Sequence, residues 1–301
     1  MGGASSEKNV SIKTGNAVIK ALSSIYKEVT PIVVTENQDL AFLDDIGSGD
    51  IIFNALHGGF GENGDLQSTL ELKNISYTGS DSKASKICIN KHLSKLVAQA
   101  EGICTPEWVL YKNKKNNHQK LFNSSSKFSY PYIIKPNDEG STMGLAKVEK
   151  ESEVAAAISS SLEFSNEIIV EEYISGREIT VGVLGNKSLP IVEIFPQKDF
   201  FDYECKYSEG MSNYVVPAKI DGKIASKIQD DALLIHEAIG CRHYSRVDFI
   251  LDDSGQHYFL EINSLPGMTA TSLLPMAAKE EGLGFDELID LILNMGIIKN
   301  D

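Results

Sequence analysis

Apolar positions in the first hundred residues follow two rhythms. Ser11–Ser23 carries Ile12, Ala17, Val18, Ala21 and Leu22 at helical spacing, whereas Pro31–Thr35 and Asp50–Leu56 are short β-rich or apolar runs. Each run gives way to a polar or glycine-rich stretch, Asp39–Asp45 after the first and His57–Gly64 after the second. Asp65–Asn74 reads as a further helix and Tyr77–Gly79 as a strand end. Short strands alternating with helices predict βαβ units on a parallel sheet. Ser82–Glu101 repeats the helical spacing through Ile87, Leu93, Leu96, Val97 and Ala100, and is expected as one amphipathic helix broken by Gly102 and Pro106.

From Tyr130 the pattern changes. Tyr132–Lys135 and Leu145–Val148 read as strands around the polar turn Asn137–Met143, a hairpin crowned by a glycine–serine loop. An alanine-rich helix, Glu151–Leu162, precedes three β-rich runs at Glu167–Tyr173, Glu178–Leu184 and Leu189–Phe195, whose close turns suggest antiparallel neighbours. Asp199–Met211 is aromatic and charged without periodicity, a loop too long to be idle. A helix over Ile220–Ile239, strands at Ser245–Leu251 and Tyr258–Ile262, and a last helix over Phe285–Met295 complete the expectation. Lys112–Ser129 is rich in lysine and asparagine, a surface segment with a helix around 116–122 that is either simply solvated or recruits a partner.

Charge narrows the functional classes. Among 301 residues, 28 basic and 42 acidic side chains leave a net charge of −14, which argues against a general nucleic-acid surface but not against a small basic pocket for a phosphate. Hydrophobic residues at 42% are ordinary for a globular chain and too many for a disordered one. Cys88, Cys104, Cys205 and Cys241 form no CxxC pair, so a zinc knuckle is not expected and a reducing cytoplasm suits them. Neither a secretory leader nor a membrane span is expected, because no apolar run approaches 18 residues. A cytoplasmic enzyme is the expected class.

Two constellations carry candidate chemistry. Period-two alternation puts Arg246 with Asp248, and Glu261 with Asn263, on single strand faces. Paired as a hairpin, they offer two carboxylates, an amide oxygen and a guanidinium, an oxygen set suited to Mg²⁺ holding phosphates. The alternative is the polar face of an antiparallel edge. The second constellation is Lys135 followed by the loop Asn137–Gly144, whose backbone N–H groups could wrap phosphate oxygens although the order is not that of a Walker loop. His57 opens a glycine-rich loop, either at a site mouth or as a structural histidine. His92, His118, His236, His243 and His257 lack metal spacing and are read as structural or surface, and Trp108 as core. Lys206-Tyr207 could close over a ligand.

Taken together the motifs resemble those of the D-alanine–D-alanine ligases, ATP-grasp carboxylate–amine ligases of peptidoglycan precursor synthesis. The motifs are Gly2-Gly-Ala-Ser-Ser-Glu7 through Val10-Ser11, Asn54–Gly64, Tyr77-Thr-Gly-Ser80, Ile134-Lys-Pro136 with Glu139–Gly144, Glu171–Glu178, Phe201–Tyr207, Arg246-Val-Asp248 and Glu261–Met268. The resemblance implies an α/β (α+β) ATP-grasp fold: an N-terminal parallel-sheet unit over 1–85, a smaller antiparallel unit over 86–178, and a larger one over 179–301 with a lid near 199–211. It implies ATP phosphates on Lys91, Lys135 and Lys206, and adenine and ribose against Glu171, Glu172, Tyr173, Ile174 and Glu178. Asp248, Glu261 and Asn263 would hold two Mg²⁺ ions, or Mn²⁺ in their place. Glu7, near His57, would take the first D-alanine's ammonium, with Ser141 and Tyr207 linking Glu7 to the lid. Arg246 and the Gly267 N–H would stabilise the oxyanion, and Ser272 with the Leu273 N–H would clamp the second D-alanine's carboxylate. The implied partners are two D-alanine molecules and a second copy in a homodimer, with neither nucleic acid nor membrane. The alternative is ligation of D-lactate or D-serine as second substrate, against which the Lys206-Tyr207 pair argues.

Four features depart from the family pattern, one of them Lys8-Asn9 in place of the more usual Arg-Glu. No short apolar strand stands ahead of Gly2-Gly3, so the first sheet is expected to be weakened and the placement of Glu7 affected. Thr142 replaces a more usual serine, and Asn90 stands where aspartate is usual.

Overall fold

A computed structural model describes residues 1–35, 40–113, 127–196 and 212–297. The expected helix at 116–122 and the loop 199–211 lie outside them. Helix α1 (Lys8–Ser23) buries Val10, Thr14, Val18, Ala21 and Leu22, one apolar stripe. It starts three residues before the apolar spacing does, because Lys8 and Asn9 extend it without adding to that stripe. Its stripe joins Leu288, Ile289 and Ile292 of the C-terminal helix in one core, and Tyr26 just beyond it donates to Asp290 Oδ1 at 2.6 Å. The two ends of the chain are thereby packed together.

The expected parallel pairing is present but short. Strand β1 (Ile51–Ile52) pairs in parallel with β2 (Ser76–Tyr77), and Gly2 bridges Val34 in the same sense. Asp50–Leu56 yields only two ladder residues because Asn54 diverts the backbone: its Oδ1 accepts from Leu56 N at 3.0 Å and its Nδ2 donates to Gly61 O at 3.0 Å. Residues 1–3 contribute ladder bonds to the 32–34 run, from Met1 N to Ile32 O (2.9 Å), Val34 N to Met1 O (2.9 Å) and Gly3 N to Val34 O (3.0 Å). Glu7, a few residues beyond these bonds, is 8% exposed.

Ser82–Glu101 is not one helix but two, α2 (Asp65–Leu72) being followed by α3 (Ser82–Ile89) and α4 (Lys91–Ala100). Asn90 is extended between them, and its side chain accepts the Leu93 N–H at 3.0 Å as the cap of α4. One polar side chain satisfying an orphan donor overrides continuous helical spacing.

Two antiparallel sheets follow. In the smaller, β3 (Trp108–Lys112), β6 (Glu167–Glu172), β4 (Tyr132–Pro136) and β5 (Ala146–Val148) lie in that order, covered by α5 (Glu151–Leu162). In the larger the order is β10 (Ser212–Val215), β9 (Val192–Pro196), β7 (Arg177–Leu184), β11 (Tyr244–Leu251), β12 (His257–Asn263), with β8 (Lys187–Ser188) paired to β7. The three β-rich runs from Glu167 to Phe195 are therefore not all neighbours: β6 closes one sheet, and β7 opens the other and pairs with β9. Local spacing gives strands, whereas long-range hydrogen bonding chooses their sheet.

The larger sheet is covered on both faces. Ile179, Val181 and Val183 share a core with Ile228, Ala232 and Ile235 of α6 (Gly222–Ile239). Leu184, Leu189 and Val192 share another with Leu274 of α7 (Leu273–Glu280) and Ile289 of α8 (Phe285–Ile297). Each of the valines, leucines and isoleucines, fully buried, contributes roughly 1.5–3 kcal/mol. Among the described residues no helix is long and apolar enough to cross a membrane.

Candidate active site

The β11–β12 hairpin is the centre of the site. Its register places Arg246 opposite Asn263 and Asp248 opposite Glu261, so the four polar groups share one face as their spacing predicts. The register shifts just after Asp248, a local irregularity at the edge of the polar cluster. Arg246 grips Asp248 with both arms of its fork, Nε to Oδ1 at 2.9 Å and Nη2 to Oδ2 at 2.8 Å. Thr180 of β7 donates to Asp248 Oδ1 at 2.5 Å, and Asn263 Nδ2 donates to Oδ2 at 3.3 Å. Lys91, first residue of α4, reaches in to donate to Glu139 O at 2.6 Å and lies 3.2 Å from Glu261 Oε2.

This donor set fits a hard cation. Two carboxylates and an amide are too few for a closed protein cage, but they suit Mg²⁺, which takes its remaining oxygens from water and phosphate. Accordingly, among the described residues no group of three or more His, Cys, Asp and Glu side chains could hold a metal unaided.

A cavity of about 420 Å³ lies against this hairpin, walled by both antiparallel sheets. Lys135, Glu171, Glu172, Tyr173, Ile174, Glu178 and Asp248 all line it. Lys135 donates to Glu171 Oε1 across β4 and β6. Behind that pair stands Lys95, fully buried on α4, 3.0 Å from Glu171 Oε2 and donating to Thr105 Oγ1 at 2.7 Å. Burial pulls the Lys95 ammonium down to about 8, opposed by the Glu171 charge. For Glu171 burial acts to raise the pKa, but Lys135 and Lys95 outweigh it and hold the carboxyl below its ordinary value. Lys147 Nζ sits 4.5 Å from the Tyr173 ring centroid, a cation over an aromatic face at the cavity's edge.

A second, smaller cavity of about 210 Å³ is lined by Glu7, Thr14, His57, Glu62, Ser141, Asn263, Gly267 and Ser272. Lys91, Glu139, Gly140, Arg246, Glu261 and Leu273 line both cavities, so the two meet at an ammonium, a guanidinium and two carboxylates. Ser141 donates to Glu7 Oε1. That bond is made by backbone bent into the left-handed region at two successive non-glycine residues, Ser141 (φ 51°) and Thr142 (φ 63°), a conformation costing roughly 1–3 kcal/mol at each. Glycines leave room for Glu7: Gly58 adopts φ 70°, and a Cβ there or on Gly140 would stand 2.9 Å or 3.1 Å from Glu7 Oε2, so the carboxylate would have to shift. Burial raises the Glu62 carboxyl above its ordinary value, with the Glu7 charge acting the same way and the His57 hydrogen bond against it.

His57 is both a structural and a mouth residue. Its Nδ1 lies 3.3 Å from Glu62 Oε1 and its Nε2 2.9 Å from Thr14 Oγ1. Ser272 is the N-cap residue of α7, and its Oγ accepts the Thr269 N–H at 3.0 Å. Ser272 and Leu273, at the start of that helix, line the cavity together with Gly267.

Lys206 and Tyr207 lie outside the described residues, as does His118. The other histidines are structural: His236 bonds Ser245, His243 accepts from Gly79 N, His257 bonds Asp231, and His92 accepts from the half-buried Trp108. Sequence reasoning missed Thr14, Glu62, Lys95 and Thr180. Glu62 lies inside the Asn54–Gly64 motif, and Thr180 shares the strand parity of Glu178. Nothing local marked Thr14 or Lys95.

Two antiparallel sheets closing on a lysine-lined cavity, with carboxylate and amide oxygens on the hairpin between it and a smaller polar pocket, make this an ATP-grasp protein. The D-ala D-ala ligase C-terminus family matches residues 97–294 and the D-ala D-ala ligase N-terminus family residues 37–80. A D-alanine–D-alanine ligase of Aquifex aeolicus is 40% identical over 293 residues, covering 97% of this chain and 98% of its own. The crystal structure of the D-alanine–D-alanine ligase from Bacillus anthracis complexed with ATP superposes with a TM-score of 0.84 at 34% identity, over 99% of this chain and 95% of that one. The VanG D-Ala:D-Ser ligase from Enterococcus faecalis superposes at 0.81 with 30% identity, over 98% and 97%. The chain belongs to the D-alanine–D-alanine ligase family.

Proposed function

We propose that this chain joins two D-alanines into D-alanyl-D-alanine at the expense of ATP, in peptidoglycan precursor synthesis in the cytoplasm. The observation that carries the reading is the shared wall: an amino-acid-sized pocket with an anion for an ammonium opens onto a nucleotide-sized cavity at Lys91, Arg246 and Glu261. A carboxylate is a poor acyl donor, so the first D-alanine attacks the γ-phosphorus through a carboxylate oxygen, forming an acyl phosphate and releasing ADP. The amine of the second D-alanine attacks that carbonyl, and the tetrahedral intermediate expels phosphate.

In this reading Glu7 takes the first ammonium while Ser141 steadies it. Lys91 and Lys135 balance the phosphate charge, exchanging their present partners Glu261 and Glu171 for phosphate oxygens, and Lys206 would add a third ammonium. The adenine and ribose would lie along Glu171, Glu172, Tyr173 and Ile174 with Glu178. Asp248, Glu261 and Asn263 would hold two Mg²⁺ ions, or Mn²⁺, whose bound form neutralises charge on the transferring phosphoryl group. Arg246 and the Gly267 N–H would meet the oxyanion, and Ser272 with the Leu273 N–H the second carboxylate. Tyr207 would link the lid to Ser141, excluding the water that would otherwise hydrolyse the acyl phosphate. A homodimer is part of the same reading.

The test is ADP release with ATP, Mg²⁺ and D-alanine, beside L-alanine and beside D-alanine mixed with D-lactate or D-serine, with products identified by mass. D-alanyl-D-alanine, absent with L-alanine, is the expected product. Predominance of the mixed ester or of D-alanyl-D-serine would transfer the chain to the alternative specificity.

A further inference from the structure

Thr14 is the residue that joins the two ends of the smaller cavity. It is 1% exposed on α1, seven residues beyond Glu7, and it has no part in the ligation chemistry proposed for its neighbours. Its Oγ1 lies 2.9 Å from His57 Nε2 and accepts the backbone N–H of Met268 at 3.3 Å. Met268 follows Gly267, while His57 faces Glu62 through Nδ1 at 3.3 Å. One hydroxyl therefore connects the histidine beside Glu7 with the segment that presents the Gly267 N–H, across 254 residues of sequence.

The donors run in one direction. A backbone N–H can only donate, so Thr14 Oγ1 accepts from Met268. A neutral imidazole facing a carboxylate keeps its proton on the nitrogen nearer that carboxylate, here Nδ1, which leaves Nε2 as an acceptor. The Thr14 proton is then free to go to His57 Nε2. Met268 N–H, Thr14 O–H and His57 Nδ1–H thus line up as successive donors ending at Glu62.

We infer that Thr14 is a positioning residue of the ligase: its hydroxyl holds the ring angle of His57, whose tautomer Glu62 sets, and holds the Gly267–Met268 segment at the distance at which the Gly267 N–H meets the reacting carbonyl. The inference rests on the ligase reading for its catalytic consequence but not for its geometry. Thr14 does not line the nucleotide cavity, so its loss acts on the amino-acid half-reaction alone.

Thr14→Val keeps the shape of the side chain and removes the hydroxyl, and Thr14→Ser keeps the hydroxyl and removes a methyl. Three readouts are compared: D-alanine-dependent kcat and KM, affinity for a non-hydrolysable ATP analogue by calorimetry, and the ring ¹⁵N shifts of His57 under mildly alkaline conditions, assigned through His57→Gln. Thr14→Val is expected to lower kcat/KM for D-alanine about tenfold to a hundredfold, as for a buried donor and acceptor left unmatched. Nucleotide affinity stays within about twofold, and Thr14→Ser restores turnover. In the wild type, Nδ1 is expected protonated and Nε2 not.

The inference is overturned by unchanged turnover in Thr14→Val, by Thr14→Ser failing as badly as Thr14→Val, or by a parallel loss of nucleotide affinity. The opposite tautomer in the wild type overturns it even if Thr14→Val does not fold. A wild-type chain that makes no D-alanyl-D-alanine would defeat the ligase reading instead, and a change in the His57 Nε2 shift between wild type and Thr14→Val would then test the Thr14–His57 contact independently.

Discussion

Arg246 shows what a single residue contributes and how much of that its neighbourhood reveals. Its fork is engaged with Asp248 in two nearly parallel bonds, and it lines both cavities. Replacing it with alanine is expected to lower kcat about 10²-fold, the usual loss for one oxyanion donor, while the dissociation constant for ATP changes far less. Steady-state kinetics beside equilibrium nucleotide binding separates the two, and a main effect on nucleotide affinity would show that Arg246 is misassigned. Arg246→Lys is expected to rescue little, because a point charge cannot reproduce a two-armed contact. For Tyr207→Phe the expectation is more ADP released per dipeptide formed, since the lost hydroxyl loosens the proposed closure against water; an unchanged ratio would count against the lid assignment. Arg246, Asp248, Glu261 and Asn263 are legible in the sequence because strand parity alone assigns a face. Thr14 and Lys95 are not, because their meaning comes from partners at Met268 and Glu171 that no local pattern contains.

At the scale of elements, α6 and β11 are joined by a buried pair that also reports on pH. His236 Nδ1 lies 2.6 Å from Ser245 Oγ, and burial, with a smaller contribution from His243, lowers the His236 pKa to about 4. The folded-state value is below the unfolded 6.5, so the unfolded chain binds this proton first as the solution is acidified. Stability from the neutral ring is therefore complete above about pH 6.5 and is lost on descending to about pH 4, a change on the order of 3 kcal/mol for this group. His243, also lowered to about 4 by burial and Arg242, adds in the same direction. Thermal melts across this window are expected to show a falling Tm, with a shallower slope in His236→Gln; identical slopes would mean that His236 is not the buried neutral group described. Elements themselves were largely legible, from α5 at its predicted bounds to the β11–β12 hairpin. The failures were at junctions and in three elements that local spacing did not predict, β3, β10 and α7. Asn90 divides a continuous apolar stripe, and Asn54 ends a strand early, each by a side chain satisfying backbone groups.

At the scale of the whole molecule the nucleotide cavity is a joint, with Lys135 from the smaller sheet on one side and Asp248 from the larger on the other. A ligand bound there bridges both sheets and should stabilise them together. Saturating Mg-ATP at a hundredfold over its dissociation constant is expected to add about 2.7 kcal/mol to the unfolding free energy. Lys135→Met should abolish that gain in a thermal-shift comparison with and without ligand within each variant. A full shift in Lys135→Met would mean that the cation is not a phosphate contact.

By itself the sequence determined most of the helical and strand stretches, which side chains share a strand face, and the family to which the ordered motifs belong. Those properties depend on nearest neighbours along the chain: apolar period, capping chemistry, and the parity of strand positions. Only the tertiary structure decided that β6 and β7 part into different sheets, that α1 packs on α8, and that the two cavities share Lys91, Arg246 and Glu261. Each depends on the pairing of residues far apart in sequence, where hydrogen bonds and apolar burial must be satisfied for the whole chain at once. Local spacing carries no record of that choice.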